Sequence, residues 1–105
     1  LIVAVNSDSS VSALKGSSRP INNFLFRSKV LNSYKFIDLI VEFDEMDPSS
    51  LIKNVSPDVL TKGSDYKIKD IAGANFIKKN HGEVILIDLL EGYSTTSLIE
   101  KIGLN

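Results

Sequence analysis

Residues 82–103, GEVILIDLLEGYSTTSLIEKIG, contain the pattern that decides the fold: an apolar run, a polar loop and a helix. The run at residues 84–87 is short, continuous and bounded by turn residues, which is typical of a strand buried on both faces of a parallel sheet. The helical stretch at residues 95–102 stops at Gly103, a residue type that commonly follows a helix. This stretch therefore predicts one strand that leads through a loop into one helix.

The same alternation of apolar runs and helical patterns extends over the rest of the chain. Further apolar runs lie at residues 1–5, 36–43 and 59–60, the last leading into the turn residues 61–63, and further helical patterns lie at residues 23–34, 49–55 and 68–79. Strands that alternate with helices predict an α/β fold in which right-handed crossovers connect parallel strands. Because the chain has 105 residues and no internal repeat, we expect one domain, residues 1–105.

The composition argues against several classes of protein. Twelve basic and thirteen acidic residues give a net charge of −1, so no broad basic field predicts binding to nucleic acid or to an anionic membrane. The chain has no cysteine, which excludes disulfides and thiolate metal sites. Its apolar runs are far shorter than a membrane span and no signal peptide is visible, so we expect a cytoplasmic location and no membrane partner.

Polar residues follow the predicted strands, and ligands of parallel α/β sheets bind beyond the carboxyl ends of the strands. Ser94, Thr95 and Thr96 stand at a helix start, where unpaired N–H groups and a partial positive charge attract anions. Their hydroxyls would either cap this helix or add donors to an anion site. Gly92 would let the backbone approach a ligand closely.

Residues 62–66 follow another predicted strand, and Gly63 is suited to a tight turn there. Asp65 could accept from a ribose hydroxyl or a base amine, and Tyr66 could stack on a base. The alternative is an ordinary loop in which Asp65 caps the next helix.

Basic residues near a Gly/Ser-rich loop form a third candidate. Lys15 lies in this loop and Arg27 follows it, and arginine is suited to bidentate contact with phosphate. The alternative is an exposed loop with solvated charges. We interpret His81 as a structural residue at a helix end and residues 44–47 as a solvated acidic loop, and no metal-ligand spacing predicts a metal site.

Taken together, these stretches resemble the nucleotidylyltransferase domains of D-glycero-β-D-manno-heptose 1-phosphate adenylyltransferases, in the cytidylyltransferase-like superfamily. The resemblance covers nearly the whole chain. The matching segments are IVAVNSD at 2–8, LKG at 14–16, RPI at 19–21, Arg27, PDVL at 57–60, KGSDY at 62–66, IAGA at 71–74, GEV at 82–84 and GYSTT at 92–96. The resemblance implies a Rossmann-like parallel sheet with flanking helices.

The resemblance also implies a reaction, in which a sugar 1-phosphate oxygen attacks the α-phosphorus of ATP and pyrophosphate leaves, usually with the help of Mg²⁺. Residue by residue, it implies a catalytic role for Lys15 and Arg27 and acceptor binding for Asp8. The positions that it implies for binding the nucleotide are Lys62, Gly63, Asp65, Tyr66, Gly92, Ser94, Thr95 and Thr96.

The sequence departs from the family at its front. The family begins with a strand and a His-x-Gly-His motif on the following helix, and neither is present in residues 1–105. In the family this first strand is central, so we expect residues 1–105 alone to lack transferase activity and an N-terminal segment or partner strand to fill the gap. Leu89 stands where relatives that act on glycerol phosphate have Arg, which fits the heptose branch better.

Two other functions stay open from the sequence. One is a cytidylyltransferase that acts on another phosphorylated alcohol, and the other is a nucleotide-binding remnant without catalysis. Because relatives in the family are often dimers, the resemblance also implies a homo-oligomer.

Overall fold

The computed structural model describes residues 1–103 and confirms the α/β class. The strands are β1 (Ile2–Asn6), β2 (Leu39–Phe43), β3 (Val59–Gly63) and β4 (Glu83–Ile87). The helices are α1 (Asp8–Lys15), α2 (Phe24–Asn32), α3 (Ser49–Val55), α4 (Ala74–Lys79) and α5 (Thr95–Ile102), with one 3₁₀ turn at Ile68–Asp70. None of the helices within residues 1–103 has the length and hydrophobicity required to cross a membrane.

The four strands form two parallel pairs. Strand β1 pairs with β2 in a register that sets Ile2 opposite Leu39, and β3 pairs with β4 in a register that sets Val59 opposite Glu83. Each pair lies in its own compact unit, the first formed by Leu1–Ser56 and the second beginning at Pro57. Parallel pairing with helical crossovers agrees with a Rossmann-like nucleotidylyltransferase fold. The single domain over residues 1–105 stays a prediction.

A small core holds the first unit together. Val5 of β1 and Phe43 of β2 are each 9% exposed, and Ile52 of α3 is also buried. Burying a side chain of this size stabilises a fold by about 1.5–3 kcal/mol relative to leaving it exposed. Only Ser7 separates β1 from α1. Its N–H donates to the Phe43 carbonyl oxygen at 2.9 Å, which continues the pairing with β2 up to the start of the helix.

In the second unit, the core surrounds α4. Ile77 is 1% exposed, and Ile71, Ala74 and Ile99 are buried as well. The turn from α4 into β4 is tight at Gly82, where a Cβ atom would lie 2.8 Å from the Asp58 carbonyl oxygen and 2.8 Å from Ile77 Cγ2. Only glycine fits this approach without a shift of its neighbours.

Two helical predictions need correction. Helix α1 was not predicted, because its sequence DSSVSALK contains three serines and lacks a continuous apolar stripe. The single helix expected at residues 68–79 is wrong, because Ile71 is extended and Gly73 has a φ of 80°, which separate the 3₁₀ turn from α4. At α1 the Ser7 cap supports a helix that lacks an apolar stripe, and at residues 71–73 the backbone conformation interrupts the helix that the hydrophobic period predicts.

Candidate functional site

The carboxyl ends of β1 and β2 meet in a cluster of hydroxyls around one carboxylate. Asp44 follows β2, and its Oδ1 atom accepts from the Ser7 hydroxyl and, at 2.6 Å, from the Ser9 hydroxyl. Both donations lower the pKa of the Asp44 carboxyl below its ordinary value of 3.8, the bond from Ser7 having the larger effect. Hydrogen bonds to an ionised carboxylate favour its charged form, so this cluster holds a negative charge.

The same hydroxyls fix the start of α1. Ser7 is the N-cap of this helix, and its Oγ accepts from the Ser10 N–H at 3.2 Å. The Ser10 hydroxyl donates to the Ser7 carbonyl oxygen and accepts from the Asn6 side-chain amide, both at 3.1 Å. Since Ser7 and Ser10 are buried, these bonds are shielded from competing water and hold the first turn of the helix in place.

Asp8 and Arg27, two of the predicted site residues, form an ion pair. Arg27 Nη2 donates to Asp8 Oδ1 at 2.7 Å, and Arg27 Nε donates to the Asn22 carbonyl oxygen at 3.0 Å. The side chain of Arg27 is 23% exposed and that of Asp8 is 46% exposed. Two of the five guanidinium N–H groups are engaged in these bonds, which leaves three that point at neither partner and are suited to phosphate oxygens.

Lys15 lies farther along α1. It occupies the last turn of the helix, whereas Asp8 occupies the first, and this places it roughly 10 Å along the helix axis from Asp8. The backbone after Lys15 then turns at Gly16, whose φ is 101°. The structure thus joins Asp8 to Arg27 and sets Lys15 at the opposite end of the helix.

A mostly apolar groove with a volume of about 310 Å³ lies beside the ion pair. Its size reaches the lower limit of small-molecule sites, which begin at about 300 Å³. Arg27 and Asn22 provide polar groups on its wall. The groove is lined by Val5, Asn22, Phe26, Arg27, Val30 and Leu31.

In the second unit, the predicted nucleotide loop leaves the carboxyl end of β3. The Ser64 N–H donates to the Ile87 carbonyl oxygen at 2.8 Å, so this loop continues alongside the end of β4. A Cβ atom on Gly63 would lie 2.8 Å from Asp65 Oδ1 and 3.0 Å from Leu89 Cδ2, which brings the loops after β3 and β4 together at one edge of this sheet. Because β3 and β4 are neighbouring parallel strands, the loops that follow them leave the same edge of this sheet.

Lys62, near the end of β3, contacts Tyr66 in the loop that follows the strand. Lys62 Nζ lies 4.7 Å from the centroid of the Tyr66 ring, a distance at which a cation is attracted to the ring face. Tyr66 is 45% exposed. The loop therefore presents a cation and an aromatic ring side by side, a combination suited to a phosphate and a base.

At the start of α5, one of the predicted hydroxyl residues caps the helix. Ser94 is the N-cap, and its Oγ accepts from the Ser97 N–H at 3.0 Å and donates to the Ser97 hydroxyl at 2.9 Å. Gly92, two residues earlier, has a φ of 83°. The cap interpretation therefore holds for Ser94, and an anion site that includes Thr95 and Thr96 stays a prediction.

The acidic loop after β2 is exposed, as a solvated loop is expected to be, and two of its carboxylates also accept hydrogen bonds. Asp44 and Asp47 are exposed, yet each carboxylate accepts hydrogen bonds, and the pKa of Asp47 is lowered by the Ser49 hydroxyl and then by the Ser49 N–H. Residues 1–103 contain no group of three or more His, Asp or Glu side chains arranged to hold a metal ion. At nucleotide sites Mg²⁺ is usually bound by one or two carboxylates together with substrate phosphates, and such a site needs no all-protein group of this kind.

Sequence reasoning missed Ser9 and Asp44 as members of this site. Their partnership joins positions 35 residues apart, so no local motif reveals it. The available signal was position: Asp44 directly follows a predicted strand, and Ser9 lies in the first turn of the helix after β1, at the edge where parallel sheets gather polar side chains.

The relatives found by comparison with known proteins share one name. The chain is 50% identical over 104 residues to the bifunctional protein HldE of Marinomonas sp. (strain MWYL1), covering 99% of this chain and 22% of that protein. It is 47% identical over 103 residues to HldE of Nitrobacter winogradskyi (98% and 21%) and 48% identical over 102 residues to HldE of Coxiella burnetii strain Dugway 5J108-111 (97% and 22%). It thus spans about 22% of the length of the curated relatives that it matches. No protein-family model matches it.

Proposed function

The chain is homologous to one segment of the bifunctional proteins HldE, and from this homology we propose that it is an adenylyltransferase domain acting on a heptose phosphate. The reaction is transfer of AMP from ATP to heptose 1-phosphate with release of pyrophosphate. An oxygen of the sugar phosphate forms a bond to the α-phosphorus of ATP, and the bond from that phosphorus to pyrophosphate breaks. The observation that carries this proposal is the identity of about half of the residues over 99% of the chain.

On this proposal, the first unit binds the acceptor. Arg27 is already oriented by Asp8 and Asn22, and its remaining N–H groups would bind the phosphate of the sugar. A pre-oriented guanidinium loses less side-chain entropy on binding than a flexible one. Lys15, at the far end of α1, is proposed to have a catalytic role in this unit.

The second unit would bind the nucleotide. Lys62 and Tyr66 would contact the phosphates and the base, Gly63 would keep the loop close to the ligand, and Asp65 would accept from the ribose. Thr95 and Thr96, with the N–H groups of α5, would bind phosphate oxygens after the tight turn at Gly92. ATP is therefore proposed as a substrate, and Mg²⁺ is proposed to arrive with its phosphates.

Calorimetric titration of the full-length protein with ATP and with CTP tests this assignment. Replacing both Thr95 and Thr96 by Ala should weaken nucleotide binding, because each hydrogen bond to a charged phosphate contributes roughly 1.5–3 kcal/mol. Unchanged affinity for both nucleotides would show that these hydroxyls have no contact with the ligand.

A second measurement separates the alternatives. Pyrophosphate release from ATP in the presence of heptose 1-phosphate identifies the proposed reaction. Stronger binding and turnover of CTP would indicate a cytidylyltransferase, and nucleotide binding without turnover would indicate a non-catalytic binding domain.

A further inference from the structure

Asp44 is hydrogen-bonded to the two residues on either side of Asp8, the residue proposed to bind the acceptor substrate. Its Oδ1 atom accepts from the hydroxyls of Ser7 and Ser9, and the residue between those two serines is Asp8. The carboxylate of Asp44 comes from the loop after β2, 36 positions away from Asp8 along the chain. One oxygen atom thus ties the first turn of α1 to the end of the neighbouring strand.

These hydrogen bonds fix the backbone around Asp8 and therefore the direction in which the Asp8 side chain points. The Ser7 N–H is held by the Phe43 carbonyl oxygen at 2.9 Å, and Ser7 and Ser9 are held by Asp44, so both neighbours of Asp8 are fastened to the end of β2. The Asp8 carboxylate in turn holds Arg27 at 2.7 Å. A hydrogen-bonded path therefore runs from Asp44 through the backbone around Asp8 to the guanidinium.

We propose that Asp44 is a positioning residue for the sugar phosphate, acting through Asp8 to set the orientation of Arg27. The inference rests on the proposed function, in which Arg27 binds that phosphate. Asp44 itself touches the hydroxyls of Ser7 and Ser9, and it has no role in contacting the substrate. A small displacement of a binding group is enough to weaken the productive complex.

Three variants of the full-length protein separate this role from its alternatives. Asp44→Ala removes the acceptor oxygen, whereas Asp44→Asn keeps an amide oxygen that still accepts from both hydroxyls. Asp47→Ala is the matched control, because Asp47 is an exposed acid of the same loop whose partner is Ser49 at the start of α3. Circular dichroism and thermal unfolding show which variants are folded, and Asp44→Asn keeps the test valid if Asp44→Ala does not fold.

Kinetics with heptose 1-phosphate and ATP provide the measurement. We expect Asp44→Ala to raise KM for the sugar phosphate about tenfold while KM for ATP stays unchanged, a size typical of coupled neighbouring residues. Asp44→Asn should stay within about threefold of the wild-type KM, and Asp47→Ala should match the wild type. In a variant that already carries Arg27→Ala, the further change Asp44→Ala should have no additional effect on the acceptor KM.

Several outcomes would overturn the inference. Equal losses for Asp44→Asn and Asp44→Ala would mean that the charge of Asp44 contacts the substrate directly. An unchanged KM for Asp44→Ala, an equal rise in KM for ATP, or full additivity with Arg27→Ala would each exclude positioning through Arg27. If the wild-type protein neither binds nor turns over heptose 1-phosphate, the proposed function fails and this inference fails with it, a result visible before any variant is measured.

Discussion

Two exposed carboxylates, Asp44 and Asp47, should make the stability of the protein sensitive to acid. Hydroxyl and N–H donors lower the pKa of both below 3.8, so in the folded state each binds its proton less readily than in the unfolded state. The stabilisation is therefore present above pH 3.8 and is lost as the pH falls through the lowered pKa. In the Asp44→Asn variant, the part that depends on Asp44 should be absent.

Urea unfolding of the full-length protein at about pH 6 and at about pH 2 measures this difference. The wild type should lose more stability between the two conditions than Asp44→Asn does. The prediction is wrong if acid reduces the stability of both proteins by the same amount.

Two close-packed glycines should respond differently to an added methyl group. At Gly82 the new Cβ atom would meet the Asp58 carbonyl oxygen and Ile77 at 2.8 Å, and backbone cannot move aside easily. At Gly63 it would meet the ends of the Asp65 and Leu89 side chains, which can rotate away. Gly82→Ala should therefore cost about 1–3 kcal/mol of stability, and Gly63→Ala less.

Chemical denaturation and ATP titration of the two variants test this comparison. Gly63→Ala should weaken nucleotide binding more than Gly82→Ala does, because it displaces Asp65 in the proposed nucleotide loop. A larger stability loss at Gly63 than at Gly82 would contradict the packing argument.

The residue types at the candidate site were readable from sequence, but their partners were not. Asp8 and Arg27 were both selected as site residues, and the structure pairs them at 2.7 Å. The bonds of Asp44 to Ser7 and Ser9 depend on which strands pair and in which register, information that no local pattern contains.

Helix α5 depends on its cap, because a helix of eight residues has few internal hydrogen bonds. Ser94→Ala removes the acceptor of the Ser97 N–H and should destabilise the fold by about 1 kcal/mol. Ser97→Ala is the control, because it keeps the capped N–H and removes only the hydroxyl contact.

Hydrogen exchange of the α5 amides provides the measurement for this pair. Exchange should become faster in Ser94→Ala, including at the Leu98 N–H that donates to the Ser94 carbonyl oxygen, and should change little in Ser97→Ala. Equal acceleration in both variants would show that the hydroxyl pair, and not the cap, holds the helix start.

The helix bounds predicted from sequence were most accurate where the residues that start and stop a helix agree with the helical period of apolar residues. Helices α3 and α5 have the bounds expected from the sequence, with Pro48 before α3 and Gly103 after α5. Helix α1 is held by Ser7 and by tertiary bonds to Asp44, which a hydrophobic period does not register.

The molecule contains two separate two-stranded parallel sheets within residues 1–103. Sheets of only two strands are marginal in water, and large side chains such as Ile87 of β4 and Leu39 of β2 are more than half exposed. We therefore expect a polypeptide of residues 1–105 alone to unfold with low cooperativity, with a urea m-value below about 1 kcal/mol/M. Urea titration followed by circular dichroism tests this, and a single steep transition would contradict it.

Fold class followed from the alternation of strands and helices along the chain, and it is confirmed by parallel pairs with helical crossovers. The division into a unit of residues 1–56 and a second unit from Pro57 did not follow from the sequence. The connection at residues 56–58 is polar and contains a proline, but it is too short to stand out as a linker, because α3 and β3 flank it directly.

The contact between Lys62 and Tyr66 gives the chain an optical property. Residues 1–105 include three tyrosines and no tryptophan, so tyrosine dominates the ultraviolet emission of this segment. One of these three rings carries an ammonium group 4.7 Å from its centroid, in the loop proposed to receive the nucleotide. A phosphate that draws Lys62 away, or a base that stacks on the ring, would alter the emission of Tyr66. Ligand entry would then be observable in unlabelled protein, as a spectral change that Tyr66→Phe abolishes.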